Sequence, residues 1–397
     1  MKLERGSELM RSRSTVKSPS HLDIRYWQNI PDHLTHGMFE ALARVPCVDF
    51  DAFVLRGPDP DRIAMGWVPP EASYRVIRLD QTRRFRSALE ACVPGKVHIM
   101  NLWGLPEFYL AVLWRIVKKS PLCVLAEPRF PFSRTYLNPA KSLLGRIAAG
   151  HALCAFPISE RAFQEMEGFG FDRDKIFPYG YFPDLPFDSE PGRPWESDEL
   201  LYVGQFIERK GLDTLVRAFA EVAMPTRLRL TLLGIGPCEQ RLRELAARLG
   251  VEKRVSFNPP IPSSQVPRRI ARARALVLPS MWDGWGVTVN EALSVGVPVI
   301  TTDHAGAREL VAASGAGAIV PASDNISLTA TLARCGDAAM IRTWAECAVR
   351  YRQRISPGAV APYVVDCIRY SLGVNRARPA PPWREPTPAC EVGRASS

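Results

Sequence analysis

The chain has 397 residues, a formal net charge of +10, 46% hydrophobic and 23% charged residues. This composition is that of a globular protein, and the length exceeds one ordinary core, so two units of about 150–200 residues each are expected. No apolar run reaches the roughly 18–20 residues of a membrane span. The nine cysteines form no CxxC pair, which points to reduced thiols in a cytoplasmic protein rather than a disulfide scaffold.

Residues 1–20 are polar, lack the apolar core of a secretory leader and are expected to be disordered. From residue 21 to 183 short apolar runs alternate with helical periodicities, the pattern of an α/β unit. Its strands are expected at 23–27, 50–55, 74–79, 97–101, 122–126, 152–158 and 176–178, with helices at 37–44, 106–118 and 159–169. Within 71–150, thirteen Lys and Arg face five Asp and Glu. A basic face of this kind suits an anionic lipid surface, a phosphorylated ligand or nucleic acid, or is simply solvated surface charge. No zinc-finger spacing or aromatic RNA-binding signature is present, so nucleic acid is not expected as a partner.

Residues 184–198 gather prolines and acids and read as a linker. A second series of strands and helices fills 199–356. Its strands are nearly continuous apolar runs, as in a parallel sheet covered by helices on both faces. Leu212, Leu215, Val216 and Phe219 form one apolar stripe at helical spacing. This half reads as a doubly wound, Rossmann-like domain that binds its ligand at the carboxyl ends of the strands. A helix within 357–373, most clearly 362–372, follows, and 374–397, rich in Pro, Arg and Ala, is expected to be disordered.

Three segments of the second half stand just after strands. In VGQFIERKG, Gly204 allows a tight turn beside Gln205, and the cations Arg209 and Lys210 precede the next helix. Two cations near a helix start suit a diphosphate, although a solvated basic turn has the same composition. In LLGIGP, Gly234 and Gly236 end a strand, a weak signal by itself. In PSMWDGWGVTVNEAL a glycine-rich loop carries Asp283, and a helix begins near Val287 with Glu291 one turn inside. Backbone N–H groups of Gly286, Val287 and Thr288 would meet phosphate or sugar, and the carboxylates would accept from sugar or ribose hydroxyls.

In this order and spacing the three segments resemble the group 1 (family 4) retaining glycosyltransferases of the GT-B fold. The likeness is close over about 200–311 and looser in the first half. It implies two Rossmann-like domains facing across a cleft and a nucleoside-diphosphate sugar as substrate, without cofactor or metal. Arg209 and Lys210 match the family's diphosphate-binding cations, Glu291 its ribose-binding acid, and Asp283 its acid near the donor sugar, where Glu is usual. Gln205 stands where many members have Arg. The acceptor, a glycan or a lipid-linked molecule, is expected on the first half. Asp32, His33 and Asn101 are the candidates there, and Glu127 stands where many members carry histidine. Asp49-Phe50-Asp51 looks like a metal motif but is taken as incidental. A peripheral contact with an anionic membrane, a phosphorylase or epimerase of the same fold, a binding protein with a degraded site and a nucleic-acid binder are the other readings kept.

Overall fold

The structure, a computed structural model, describes residues 21–30, 33–57, 71–78, 95–102, 106–117, 120–129, 139–188, 190–224 and 226–385. Two six-stranded parallel sheets carry it. The first runs β1 (Leu22–Gln28), α1 (His33–Ala43), β2 (Val48–Val54), β3 (Arg75–Arg78), β4 (Val97–Asn101), α2 (Pro106–Val117), β5 (Leu122–Ala126), α3 (Pro139–His151), β6 (Cys154–Pro157) and α4 (Glu160–Phe169). Its strand order is β3-β2-β1-β4-β5-β6. All of its pairings are parallel, with Leu22 opposite Val48 and Cys123 opposite Cys154.

The second sheet is built from β7 (Glu199–Val203), α5 (Leu212–Ala223), β8 (Arg229–Leu233), α6 (Glu239–Arg248), β9 (Val255–Asn258), α7 (Val266–Ile270), β10 (Ala275–Leu278), α8 (Thr288–Ser294), β11 (Val299–Thr302), α9 (Arg308–Ser314) and β12 (Gly317–Val320). Its order, β12-β11-β10-β7-β8-β9, reverses at β7, and loops that diverge there leave a crevice at the carboxyl edge. The apolar stripe of α5 is buried as its spacing requires, with Leu215, Val216 and Phe219 fully inside. Helices α10 (Asn325–Arg334), α11 (Ala338–Tyr351) and α12 (Pro357–Ser371) complete the chain.

α12 returns to the first half, where it packs on α1 and β6. The Tyr363 hydroxyl donates to the Pro178 carbonyl at 3.0 Å. The helix starts before Pro362: Ser356 caps it, accepting from the Ala359 N–H at 3.3 Å, and Pro357 occupies the first turn. Proline at a helix start sacrifices no intrahelical hydrogen bond. Residues 176–178 form no strand of their own and add only a bridge from Ile176 to Ala155.

Two expectations are corrected. Residues 374–385 are ordered rather than disordered: they run back over the junction and place Trp383 fully inside the protein. One tryptophan among prolines and arginines gives no periodic signal, yet its ring is large enough to anchor a strap. The remaining residues, 386–397, lie outside the described residues. Cys347 is disulfide-bonded, against the expectation of reduced thiols throughout, and its partner lies outside the described residues. The spacing of cysteines along a chain does not show which sulfurs meet in space. Among the described residues no helix is long and apolar enough to cross a membrane.

Candidate functional site

The site lies where the loops after β7, β8, β10 and β11 meet the ends of β5 and β6. Gly204 and Gly234 both have positive φ, 152° and 154°. A Cβ on Gly234 would sit 1.9 Å from the Gly204 carbonyl oxygen, so these loops touch backbone to backbone. Gly236 is equally constrained, with the Phe206 carbonyl oxygen 2.4 Å from an added Cβ. Gln205 is exposed at the loop surface, and its carbonyl accepts from the Tyr202 hydroxyl at 2.8 Å.

Next comes a single 3-10 turn, Glu208–Lys210, closed by Gly211 at φ 66°. This turn is tied to the acid-bearing loop 73 residues later. The Arg209 carbonyl accepts from the N–H groups of Met281 and Trp282, and its guanidinium donates to the Trp282 carbonyl at 3.1 Å. The Lys210 ammonium is paired with the Asp283 carboxylate. Their side chains are 13% and 11% exposed, so solvent screens the pair weakly. Ser280 adds a longer hydrogen bond, 3.4 Å, to the same carboxylate oxygen. Arg209 therefore positions the loop, while Lys210 and Asp283 form the charged centre.

Glu291 lies on α8 at 8% exposure. Burial raises its carboxyl from the ordinary value to about 7, because a low-dielectric site disfavours the charged form. Gly286, at φ 95°, turns the chain into α8, and Val287 and Thr288 open the helix. The first N–H groups of a helix have no acceptor within it, so this turn offers donors to an anion or hydroxyl.

The loops after β10 and β11 are knit together. Gly306 N–H donates to the Asp283 carbonyl at 3.1 Å and Ala307 N–H to the Trp285 carbonyl at 2.7 Å. Trp285 is buried and donates to Asn290 at 2.9 Å; Asn290 in turn donates to the Tyr181 carbonyl at 3.0 Å. The Tyr181 hydroxyl donates to Glu127 at the end of β5. Beside Glu127, Pro128 lies 3.9 Å from where a Cβ on Gly284 would be. Arg129 meanwhile pairs with Glu165 at 3.0 Å. Glu127 is thus held by Tyr181 near the loop that carries Asp283, a partner that no motif or periodicity marked.

Of the acceptor candidates, Asn101 ends β4, half-buried, and His33 opens α1. Asp32 lies outside the described residues. Asp51 of the apparent metal motif is held by Arg75 at 2.8 and 2.7 Å, within the sheet rather than in the cleft. At the amino ends of β1 and β2, His21, Asp23 and Asp49 bring ligand atoms within 4.8 Å of one another. That edge is opposite to the cleft. Sequence reasoning also missed the contacts that bridge the halves. Arg161 of α4 lies 4.1 Å over the Trp282 ring, and Arg384 reaches both Glu309 and Glu160, at 2.6 and 3.5 Å.

Residues 187–335 match the family model for glycosyl transferases group 1. The match covers the second sheet and its loops, so that part of the chain is similar to the family. WcaL of Salmonella typhimurium, named for colanic acid biosynthesis, is 35% identical over 150 residues, 36% of either chain. D-inositol 3-phosphate glycosyltransferase of Frankia alni is 29% identical over 285 residues, 66% of this chain and 65% of its own. The chain thus spans about a third to just under two thirds of the curated relatives it matches. Among solved structures, sucrose-phosphate synthase from Thermosynechococcus elongatus superposes with TM-score 0.67 at 19% identity, over 89% of this chain and 100% of that one. At such identity the likeness shows the fold alone, two Rossmann-like sheets in the GT-B arrangement.

Proposed function

We propose that this chain transfers a glycosyl group from a nucleoside-diphosphate sugar to a hydroxyl acceptor, with retention at the anomeric carbon, in the assembly of a polysaccharide or glycoconjugate. The observation that carries the reading is the pairing of Lys210 with Asp283 at the mouth between the sheets. One cation stands where a leaving diphosphate gains charge, and one carboxylate stands where sugar hydroxyls need an acceptor. Stabilising charge that grows only in the transition state is what accelerates such a transfer. Glu291 would take the ribose hydroxyls, and the first turn of α8 would take phosphate or sugar oxygens. Glu127, held by Tyr181, would face the reacting carbon and steady its positive character. The acceptor hydroxyl attacks on the leaving-group face and passes its proton to a phosphate oxygen. No metal or other cofactor is assigned a part.

A related structure, the Anabaena protein HepE, was solved with UDP-glucose, with TM-score 0.64 at 14% identity. This supports a nucleotide sugar as the donor class. The test is acceptor-free hydrolysis and transfer with a panel of UDP- and GDP-sugars, comparing the parent with Lys210→Ala and Glu291→Ala. Turnover that both substitutions leave unchanged would overturn the site.

A cytoplasmic chain that touches an anionic membrane peripherally is part of the proposal. Leu113 and Val117 of α2 and Leu143 of α3 are exposed, at 38%, 70% and 59%, within the basic stretch 71–150. Apolar side chains among cations suit the interface of an anionic bilayer. Flotation with phosphatidylglycerol vesicles is expected, and its loss in Val117→Glu with Leu143→Glu; no flotation of the parent would end this part.

A further inference from the structure

Two carboxylates are assigned to the donor sugar and the reacting carbon, Asp283 and Glu127, and they are held in different ways. Asp283 is paired with Lys210 and has the Ser280 hydroxyl beside it. Among the described residues Glu127 pairs with no cation, since Arg129, two positions on, is taken by Glu165 at 3.0 Å. A neutral group holds it instead: the Tyr181 hydroxyl donates to Oε1. Glu127 is exposed at the end of β5. An exposed glutamate turns freely about its side-chain torsions, and fixing one oxygen removes much of that freedom. The other oxygen, Oε2, is left for the substrate.

Tyr181 is itself placed from both halves. On the first, the Tyr179 N–H donates to the Pro157 carbonyl at 3.0 Å, and the Tyr179 carbonyl accepts from the Ser159 N–H at 3.3 Å. The segment is thereby laid along the end of β6. On the second, the Trp285 ring rests on Gly180. A Cβ at Gly180 would lie 2.2 Å from Cη2 of that ring, so only the missing side chain allows the contact. The Phe182 ring adds an edge contact, 5.9 Å between centroids. The Asn290 amide, oriented by the Trp285 indole N–H at 2.9 Å, donates to the Tyr181 carbonyl at 3.0 Å. Trp285 belongs to the loop of Asp283, and Asn290 directly precedes Glu291 on α8. Residues 179–182 therefore tie the place of Glu127 to the loop and helix assigned to the donor.

Resting on the donor reading above, we infer that Tyr181 is a positioning residue for the transfer. It aims Oε2 of Glu127 at the reacting carbon, and the seating of Trp285 and Asn290 on its segment sets that aim relative to the donor. Tyr181 touches no reacting atom; it acts through Glu127. Phenylalanine in its place keeps the ring and the packing and removes only the O–H, so the carboxylate is freed while the seam stays filled.

The test is a double-mutant cycle on acceptor-free hydrolysis of whichever UDP- or GDP-sugar the parent turns over, with Tyr181→Phe, Glu127→Ala and the two together. Tyr181→Phe is expected to lower kcat about 10–100-fold, the scale on which misplacement of a catalytic group is felt. KM for the donor should stay within about twofold of the parent, as for an interaction that matters only in the transition state. Glu127→Ala should lower kcat at least as far, and adding Tyr181→Phe to it should cost less than about twofold more. A merely structural tyrosine gives the same fractional loss in both backgrounds, with a raised KM or a lowered unfolding midpoint. Losses that multiply in the double variant, or parental kcat in either single variant, would overturn the positioning role. Lys210→Ala, run beside them, keeps the two readings apart. If it abolishes hydrolysis while the cycle shows no coupling, the donor reading stands and the role of Tyr181 falls. If hydrolysis survives Lys210→Ala, or the parent turns over no nucleotide sugar, the donor reading falls and this inference with it.

Discussion

Lys210 and Asp283 lie 73 residues apart in sequence, yet each is the other's counter-charge in a site that water barely reaches. Replacing Lys210 by Ala removes the cation that would meet the leaving diphosphate and strands a nearly buried carboxylate. We expect kcat to fall about 100–1000-fold, the scale of losing one preorganised electrostatic contact. Stability should fall with it, because an unpaired buried charge is costly. Asp283→Asn strands the ammonium instead and should also lower the unfolding midpoint, so the double variant should lose less than the two single losses combined; strictly additive losses would contradict the pairing. Glu291 gives a different signature. Its carboxyl titrates near 7 in the folded chain because of burial, above the ordinary 4.5. Between those two values the folded state keeps a proton that the unfolded state has released. Its contribution therefore makes stability fall as pH rises from about 4.5 to 7, by about 3 kcal/mol in all. Glu291→Gln should remove that slope. Denaturant titrations at pH 5 and pH 8 measure it, and parallel pH dependence in parent and variant would refute the assignment.

At the scale of elements, the strand-end loops are fixed by close backbone approach more than by side chains. Gly211 has φ 66°, and a Cβ there would lie 2.2 Å from the Pro279 carbonyl oxygen. Gly211→Ala must push apart the turn that carries Lys210 and the strand end that leads to Asp283. A fall in stability of about 2 kcal/mol is expected from strain at a special φ, with a larger fractional loss of transfer activity, because misplacement of about 1 Å weakens catalysis steeply. Full activity in this variant would show that the turn is not locked. These elements were legible in the sequence for a physical reason. Leu122–Ala126 is apolar throughout, and Val97–Asn101 is interrupted only by His98 before it ends at Asn101, because helices cover both sheet faces; their observed bounds agree with the expected ones. The start of α12 was less legible, since Pro362 reads as a stop by its missing N–H while Ser356 supplies the cap. Glu127 could be placed by its position after β5, but its partner could not: Tyr181 lies 54 residues further on, in a segment without periodicity.

For the whole molecule, the feature that binds the halves together is the strap at 374–385, whose composition suggested no order. Trp383 is fully buried, with ring centroids 4.6 Å from Phe182 at the end of the first half and 5.3 Å from Tyr363 of α12. Its indole N–H donates to Glu309 at 3.1 Å, and its carbonyl accepts from the Tyr351 hydroxyl at 2.6 Å. Glu309 is half-buried, and the partial desolvation pushes its carboxyl upward although Arg384 opposes the shift. Deleting the indole leaves a large cavity where the end of the first half, α12 and α9 meet. Trp383→Ala should cost about 3–5 kcal/mol, seen as a fall of about 5–10 °C in the unfolding midpoint. Because the same residue helps orient Glu309 at the border of the cleft, acceptor transfer should suffer more than nucleotide binding. Arg384→Ala removes a half-exposed ion pair and should cost much less, since solvent screens such pairs. The two variants thus separate anchoring by the ring from pairing by the guanidinium. A Trp383→Ala protein that melts with the parent, and whose linker resists protease equally well, would show that the halves are docked by α12 alone.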